Sequence, residues 1–324
     1  MGTRIVFLVM SAVHRADSID QLARSLQPHR VLVHHDFGQT PDFALTAPNV
    51  SFVPDPVGTG WGAWGFTAAL FHSLRHAVRD LEFDYLQLLS PSCLPIKPVD
   101  RFRAFLDDTE QDAHFGCIDL FANRDALMSA GFRVFGETDS LLYRALFRLS
   151  REYFGPSPGK LDTDGVQLHV GHAVNARGAM TLRARAALAI TGAFRHGAIG
   201  RHPFTPAQPV CFGATWFGAR RPVVEGMTRM FEDRSFTAHF ERVFAADEFI
   251  VSTMLNRLSR HPGPINTLVN TFEHARPQWL GDGDLERLRA SPAWFARKFV
   301  DDPQAPSRLR VLTELAKVEA PALV

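Results

Sequence analysis

Short apolar runs alternate with amphipathic segments along the first third of the chain, a pattern typical of β/α units. The run RIVFLVMSAV predicts a first buried strand, and RVLVHHD, VSFV and YLQLLS predict three more. SIDQLARSLQ predicts a helix with Ser18 as its N-cap, and WGFTAALFHSLRHAVRDL predicts a long amphipathic helix. The expected fold is therefore α/β, with a mostly parallel, Rossmann-like sheet flanked by helices.

The pattern is more mixed in the rest of the chain. HFGCIDL and FGATWFGARR predict strands, and RRPVVEGMTRMFED and ADEFIVSTMLNRLSR predict helices. Beyond them we expect a helical and irregular C-terminal part, with SPAWFARKF between two short helices. Because parallel sheets bind ligands at the carboxyl ends of their strands, His14, Asp36 and the loop after Ser90 are the first positions of interest.

Composition narrows the class of protein. The chain has 324 residues, 46% of them hydrophobic, and a formal net charge of +1, so it can bury a large core and is not a polyanion binder by overall charge. Its three cysteines are far apart and suggest neither a disulfide framework nor a metal site. The first apolar run is too short for a signal peptide, and no run is long enough to span a membrane. We expect a cytoplasmic protein, with peripheral membrane contact left open.

Positive charge is concentrated between residues 165 and 224, where the sequence contains no Asp or Glu. The arginines of this stretch are Arg177, Arg183, Arg185, Arg195, Arg201, Arg220 and Arg221. Two interpretations stay open: a solvated basic face, or a surface for an anionic glycan or anionic lipid. The stretch lacks interleaved stacking aromatics, which argues against nucleic-acid binding.

A pair of carboxylates opens the helix predicted for ADEFIVSTMLNRL. Asp247 and Glu248 suit a helix N-terminus because the dipole and capping both favour negative charge there. A general base also needs a fixed carboxylate that faces a cleft, and this position can provide one. The residues alone leave both interpretations open.

Three cations near the C terminus are candidates for binding phosphate. Arg297 and Lys298 lie among aromatics in SPAWFARKF, and Arg276 precedes them in EHARPQW. Arginine offers a planar fork to phosphate oxygens and lysine a compact charge, so together they suit a diphosphate. The alternative is that each is an ordinary surface cation with a packed stem.

Metal-site signals are weak. An Asp-x-Asp after an apolar strand would suit a hard cation, but YLQLLS is followed by Pro-Ser-Cys. The DTD at 162–164 and the DGD at 282–284 do not follow strand-like runs and are typical of turns. His34 and His35 are adjacent on a predicted strand and therefore point to opposite faces. We expect no metal and no cofactor.

Seven segments, taken in order, resemble glycosyltransferase family 14, the core-2/I-branching β-1,6-N-acetylglucosaminyltransferases and peptide O-xylosyltransferases. They are VHRADSIDQLARSL, VLVHHD, WGFTAALFHSLRHA, YLQLLSPSCLPIKP, GATWFGARR, ADEFIVSTML and WFARKF. The resemblance implies a GT-A-type fold, a UDP-sugar donor, and inversion by direct displacement without a metal. It also implies one domain over 1–324: a nucleotide-binding half (1–120), a variable insert holding the acceptor region (121–210), and a catalytic, diphosphate-binding part (211–324).

The resemblance also assigns roles to individual residues. Glu248 becomes the catalytic base, with Asp247 and Trp216 on the acceptor side. The donor and its diphosphate fall to Arg276, Arg297, Lys298, Asp36 and His14. The family usually has an aspartate where this chain has Cys93, so the role of that position is open.

The resemblance leaves several functions open. UDP-N-acetylglucosamine is the expected donor, with UDP-xylose and UDP-glucose as alternatives. The expected acceptor is a glycan or glycolipid, anionic or not, in the synthesis of a microbial surface polysaccharide. The rivals are a retaining or hydrolytic UDP-sugar enzyme, and an inactive carbohydrate- or lipid-binding protein with the same fold.

Overall fold

A computed structural model describes residues 2–136, 181–269 and 277–319, with side chains. It also describes the single positions 141, 144, 145 and 148, and the backbone of the strand pairs 159–163 with 166–170 and 272–273 with 276–277. Arg177 and Asp164, which the sequence analysis singled out, lie outside the described residues.

Sixteen strands are seen among the described residues. They are β1 (Ile5–Ser11), β2 (Arg30–His35), β3 (Val50–Phe52), β4 (Tyr85–Leu89), β5 (Leu94–Pro95), β6 (Ala113–His114), β7 (Ile118–Asp119), β8 (Gly159–Thr163), β9 (Val166–Val170), β10 (Cys211–Phe212), β11 (Gly218–Arg220), β12 (Pro262–Gly263), β13 (Thr267–Val269), β14 (Phe272–Glu273), β15 (Arg276–Pro277) and β16 (Phe295–Arg297).

Eleven α-helices are seen in the same ranges. They are α1 (Ala16–Ser25), α2 (Trp64–Asp80), α3 (Val99–Asp108), α4 (Arg124–Ala126), α5 (Phe132–Phe135), α6 (Leu182–Arg195), α7 (Arg221–Glu232), α8 (Arg234–Thr237), α9 (Asp247–Leu258), α10 (Leu285–Ala290) and α11 (Pro306–Arg310). Two π-helical turns (Leu127–Gly131, Val311–Leu315) and two 3₁₀ turns (Phe240–Arg242, Asp282–Asp284) complete the set. None of these helices is long and apolar enough to cross a membrane.

The main sheet has seven strands in the order β12-β6-β11-β4-β1-β2-β3. The central strand β1 runs parallel to both β2 and β4, and only β11 is antiparallel to its neighbours. Every residue of β1 is buried, as expected for a strand covered on both faces. The predicted α/β class, with a mostly parallel sheet flanked by helices, is confirmed.

Alternation along β1 divides the core into two parts. Val6, Leu8 and Met10 pack on one face with helices α2, α7 and α9. Ile5, Phe7 and Val9 face the other way, toward α1, α3 and the C-terminal segments. The second layer contains segments from both ends of the chain, and they meet beyond the carboxyl end of β1, where the Arg15 amide donates to Asp301.

Three local predictions are corrected by the structure. Part of SPAWFARKF is a strand, β16, which pairs with β13 and β5 because Phe295 and Phe299 are buried in the core. HFGCIDL forms two short strands, β6 and β7. Helix α1 begins at Ala16, so Ser18 lies inside it, and the N-cap is Arg15, whose side chain makes no capping bond.

Candidate active site

The turn that follows β4 lies against the strand carrying the cations. Leu94 and Pro95 of β5 pair with Ala296 and Phe295 of β16, and the Phe299 amide donates to the Ser92 carbonyl at 2.9 Å. These contacts place Arg297 and Lys298 beside the carboxyl end of β4. A ligand bound there would meet the sheet where parallel α/β folds usually bind ligands.

Cys93 gives this turn its shape. Its Sγ is fully buried and accepts from the Ser90 amide at 3.3 Å, while the Ser90 and Ser92 hydroxyls lie 3.0 Å apart. Burial raises the pKa of the Cys93 thiol. Position 93 is therefore occupied by a neutral side chain that holds the turn. The positive charge of the site comes from other residues.

Arg297 is a half-buried cation whose Nε is buried. Its guanidinium lies 4.5 Å from the centroid of the Trp216 ring, and burial lowers its pKa. Nε is buried and has no hydrogen-bond partner in the described part of the chain. A buried N–H without an acceptor costs free energy, so this group suits a bound oxyanion.

His14 has the same property. It lies just beyond β1, and its Nδ1 is buried without a partner among the described residues. Burial lowers the pKa of His14 against the opposing charge of Asp301, and the charges of Lys298 and Arg297 lower it further. The structure therefore brings His14, Arg297 and Lys298 together, and their shared role at the donor stays a prediction.

Lys298 completes this group. Its Nζ lies 4.4 Å from the centroid of the Trp279 ring, a cation–π distance, and its backbone carbonyl accepts from Leu280. Arg276 is described only by its backbone in β15; its side chain lies outside the described residues. The predicted role of Arg276 in binding the donor diphosphate therefore stays a prediction.

Glu248 and Asp247 lie in the first turn of helix α9 with different environments. Oε2 of Glu248 accepts from Arg133 Nη2 at 2.8 Å, and the Glu248 side chain is 36% exposed. Asp247 accepts from the Thr215 hydroxyl at 2.5 Å. Burial and the charge of Glu248 raise the pKa of Asp247 to about 6, against the bond from Thr215. Glu248 is thus fixed by one oxygen and accessible, whereas Asp247 is held by Thr215.

Two consecutive residues join the carboxylates to the cations. Thr215 donates to Asp247, and the neighbouring Trp216 lies beneath the Arg297 guanidinium. The two groups therefore belong to one contiguous site. Trp216 lies on its cationic side, so the predicted acceptor role of Trp216 stays a prediction.

Asp36 lies beyond β2 and connects two loops. Its carboxylate accepts from the Thr59 amide (2.6 Å) and hydroxyl (2.9 Å), from Gln39 (2.7 Å) and from the Gly38 amide (3.0 Å). Burial alone would raise the pKa of Asp36, but these hydrogen bonds lower it to about 2. The role of Asp36 in the described structure is to hold the 57–60 loop; its predicted contact with uridine stays a prediction.

Other signals in the sequence turn out to be structural. Arg195, Arg220 and Arg221 donate to backbone carbonyls of neighbouring elements, whereas Arg183, Arg185 and Arg201 are exposed. The DGD segment forms a 3₁₀ turn in which Asp284 accepts from the Gly281 amide. Among the described residues, no three His, Cys, Asp or Glu side chains are placed to hold a metal ion together.

Sequence reasoning missed Arg133 and Trp61. Arg133 lies between the aromatic rings of Phe212, Phe244 and Phe249 and donates to Glu248, from which it is far in sequence. Nothing local in GFRVFG marks this role. Trp61 is 91% exposed in the glycine-rich run GTGWGAWG, where an aromatic among glycines is the one available signal.

Comparison with known proteins gives one family match. A family model described as "Core-2/I-Branching enzyme" matches residues 7–121, the segment that holds β1, β2, β4 and the turn at Cys93. No curated protein matches the chain. Among solved structures, a galactosyltransferase LgtC in complex with donor and acceptor sugar analogues covers 98% of each chain, with 9% identity and a TM-score of 0.39. An active-site mutant of LgtC covers 98% of this chain and 100% of its own, with 10% identity and a TM-score of 0.35.

Proposed function

We propose that the chain is a glycosyltransferase related to the core-2/I-branching enzymes and that it transfers a sugar from a UDP-sugar to a hydroxyl of a glycan acceptor. The proposed reaction is a direct displacement with inversion, without a metal ion. UDP-N-acetylglucosamine is the first donor to test. The observation that carries this proposal is a pair of buried nitrogens, Arg297 Nε and His14 Nδ1, which have no hydrogen-bond partner among the described residues and lie beside Lys298.

The cations suit the leaving group. As the bond to the anomeric carbon breaks, negative charge grows on the β-phosphate of UDP. Arg297 is held in place by Trp216, and Lys298 lies over Trp279, so both are oriented before the charge develops. Fixed charges of this kind stabilise a transition state without reorganisation, and losing one costs about 10² to 10³ in rate.

Glu248 suits the base. Arg133 fixes one of its oxygens, and the other receives no hydrogen bond from the described residues. In the proposed step, Glu248 accepts the proton of the acceptor hydroxyl while that oxygen attacks the anomeric carbon from the face opposite UDP. The proton ends on Glu248, and the electron pair of the broken bond leaves with UDP.

The acceptor is proposed to be a glycan or glycolipid of a surface polysaccharide, used at the inner face of the cell membrane. Support for a glycan acceptor is the family match alone. The exposed arginines of helix α6 and the 196–210 loop are compatible with an anionic acceptor. Because these arginines suit a negatively charged acceptor, anionic glycolipids belong in the first assays.

The test is UDP release from a panel of UDP-sugars, with and without acceptor, in excess EDTA. We expect acceptor-dependent release that EDTA leaves unchanged and a product of inverted anomeric configuration by NMR. Glu248→Gln should lower turnover about 10²- to 10⁴-fold. The control is Glu225→Gln, which removes a carboxylate from a similar arginine pair (Arg221–Glu225, also 2.8 Å) on helix α7. Activity that needs added Mn²⁺, or a Glu248→Gln enzyme with normal turnover, would contradict the mechanism.

A further inference from the structure

Two aromatic rings next to the candidate base face solvent. Trp61 is 91% exposed and Phe244 is 41% exposed, and their centroids lie 5.4 Å apart in an edge-to-face arrangement. Folding normally buries rings of this size because they carry much apolar surface. An exposed aromatic pair rimmed by polar groups therefore marks a binding surface rather than a packing accident.

The pair is built by the backbone around it. Gly62 has a φ of +67°, and a Cβ at this position would lie 2.5 Å from Cε2 of Phe244. The Ala245 amide donates to the Gly62 carbonyl at 2.9 Å. Only glycine allows the loop to rest on the Phe244 ring in this way, so the position of Trp61 is set by close contact between two loops.

The same contacts tie the pair to the reaction site. Arg133 Nη2 donates to the Phe244 carbonyl at 2.7 Å and to Glu248 Oε2 at 2.8 Å. Phe244 lies four residues before Glu248, and the Glu248 amide donates to the Ala245 carbonyl. On the other side, Thr59 of the Trp61 loop is held by Asp36. The rings therefore adjoin the candidate base through Arg133 and the backbone of residues 244–248.

We propose that Trp61 and Phe244 form an acceptor subsite that takes the apolar face of a pyranose ring and presents its hydroxyl to Glu248. This inference rests on the proposed function and names a subsite for it. Sugar rings carry C–H groups on one face and hydroxyls at their edges. An aromatic platform beside a carboxylate satisfies both parts: the ring packs on the aromatics, and the edge hydroxyl meets the base.

The first test is kinetic and uses Trp61→Ala, Trp61→Phe and a control, Leu182→Ala, which removes another highly exposed side chain on helix α6. We expect Trp61→Ala to raise the acceptor KM about tenfold or more. Its UDP affinity and its acceptor-independent hydrolysis of the donor should stay unchanged. Trp61→Phe should recover part of the loss, and Leu182→Ala should behave as wild type. An unchanged acceptor KM in Trp61→Ala, or an equal loss of UDP affinity, overturns the subsite.

The second test does not depend on catalysis. Wild type, Trp61→Ala and Leu182→Ala are applied to an array of defined oligosaccharides and to vesicles of phosphatidylcholine with phosphatidylglycerol. We expect wild type and Leu182→Ala to bind a common set of glycans that Trp61→Ala no longer binds. Glycan binding that is absent in wild type or unchanged in Trp61→Ala overturns the subsite, as does loss of vesicle binding alone. If no UDP-sugar supports transfer while the array result holds, the proposed function fails and the glycan subsite stands.

Discussion

Arg297, which is half-buried, and Arg308 are both cations of the C-terminal segments, but their surroundings differ. Arg308 is fully buried and donates to Gln21 Oε1 (2.8 Å) and to the carbonyls of Ser18 and Val300 (both 3.1 Å). Burial lowers the pKa of Arg308 to about 10, against the charges of Asp301 and Asp17. Arg297 instead has an aromatic face and an Nε that no residue in the described part of the chain accepts from. Arg308 stabilises the protein by itself, whereas Arg297 is complete only with an anion bound.

The largest expected effect separates these two arginines by activity. Arg297→Met keeps the stem and removes the charge, so we expect turnover to fall about 10²- to 10³-fold. The thermal midpoint should stay the same or rise, because an unsatisfied buried donor is removed. The measurements are initial rates with the working UDP-sugar and a thermal melt. A drop in midpoint with normal turnover would place Arg297 with Arg308.

Arg308→Met should show the opposite behaviour. It leaves three buried oxygen acceptors without a donor, so we expect the free energy of unfolding to fall by about 3 kcal/mol. Urea denaturation measures this change. The folded fraction should keep its kcat, since no bond from Arg308 reaches the candidate site among the described residues. A loss of kcat at full folding would contradict the division between the two arginines.

Two histidines extend the comparison to pH dependence: His114 affects the free energy of unfolding, and His14 affects ligand binding. His114 is buried between Tyr85 (2.7 Å) and Gln111 (2.9 Å), and burial, with the charge of Arg220, lowers its pKa to about 4. The unfolded chain takes up this proton near pH 6.5, so the contribution of His114 is complete above that pH. It is lost as pH falls from 6.5 to about 4, and it amounts to about 3 kcal/mol. His114→Asn should flatten the pH dependence of the unfolding free energy in this window.

His14 should affect ligand binding instead. Its lowered pKa leaves it neutral near pH 7 in the free protein. A diphosphate at Nδ1 favours the charged form and raises that pKa, so binding takes up a proton. UDP affinity should therefore gain about tenfold between pH 8 and pH 5.5 in wild type relative to His14→Asn. Calorimetry in two buffers measures the proton uptake; equal pH profiles for the two proteins would remove His14 from the phosphate site.

The smallest effects come from the aromatic partners of the cations. Trp216 lies under Arg297, whose Nε is buried, whereas Trp279 is 49% exposed beneath Lys298. Cation–π contacts are worth about 2 kcal/mol when desolvated and about 0.5 to 1 kcal/mol when exposed. We expect Trp216→Leu to weaken UDP binding by roughly 10- to 30-fold and Trp279→Leu by roughly 2- to 5-fold. Titration with UDP compares them, and the reverse order would contradict the assignment of Arg297, with its buried Nε, as the desolvated partner.

The fold was predictable where periodicity carries over several residues. The run at β1 and the helical spacing after Trp64 gave the correct elements because both faces of the sheet are buried. Strand β16 was missed because it is three residues long and has no alternation of its own. At the site, position and charge type led to His14, Arg297, Lys298, Asp247 and Glu248, whose roles stay predictions. They did not lead to Arg133, because its bond to Glu248 depends on tertiary packing alone.

The Thr215–Trp216 pair has a consequence for how such a site can change over evolution. One peptide unit separates the residue that holds Asp247 from the residue that lies under Arg297. On the proposed mechanism, this fixed spacing sets the span between the entering oxygen and the departing diphosphate. An insertion of a single amino acid here would change the positions of Asp247 and Arg297 relative to each other. This dipeptide should therefore tolerate changes of side chain far better than changes of length.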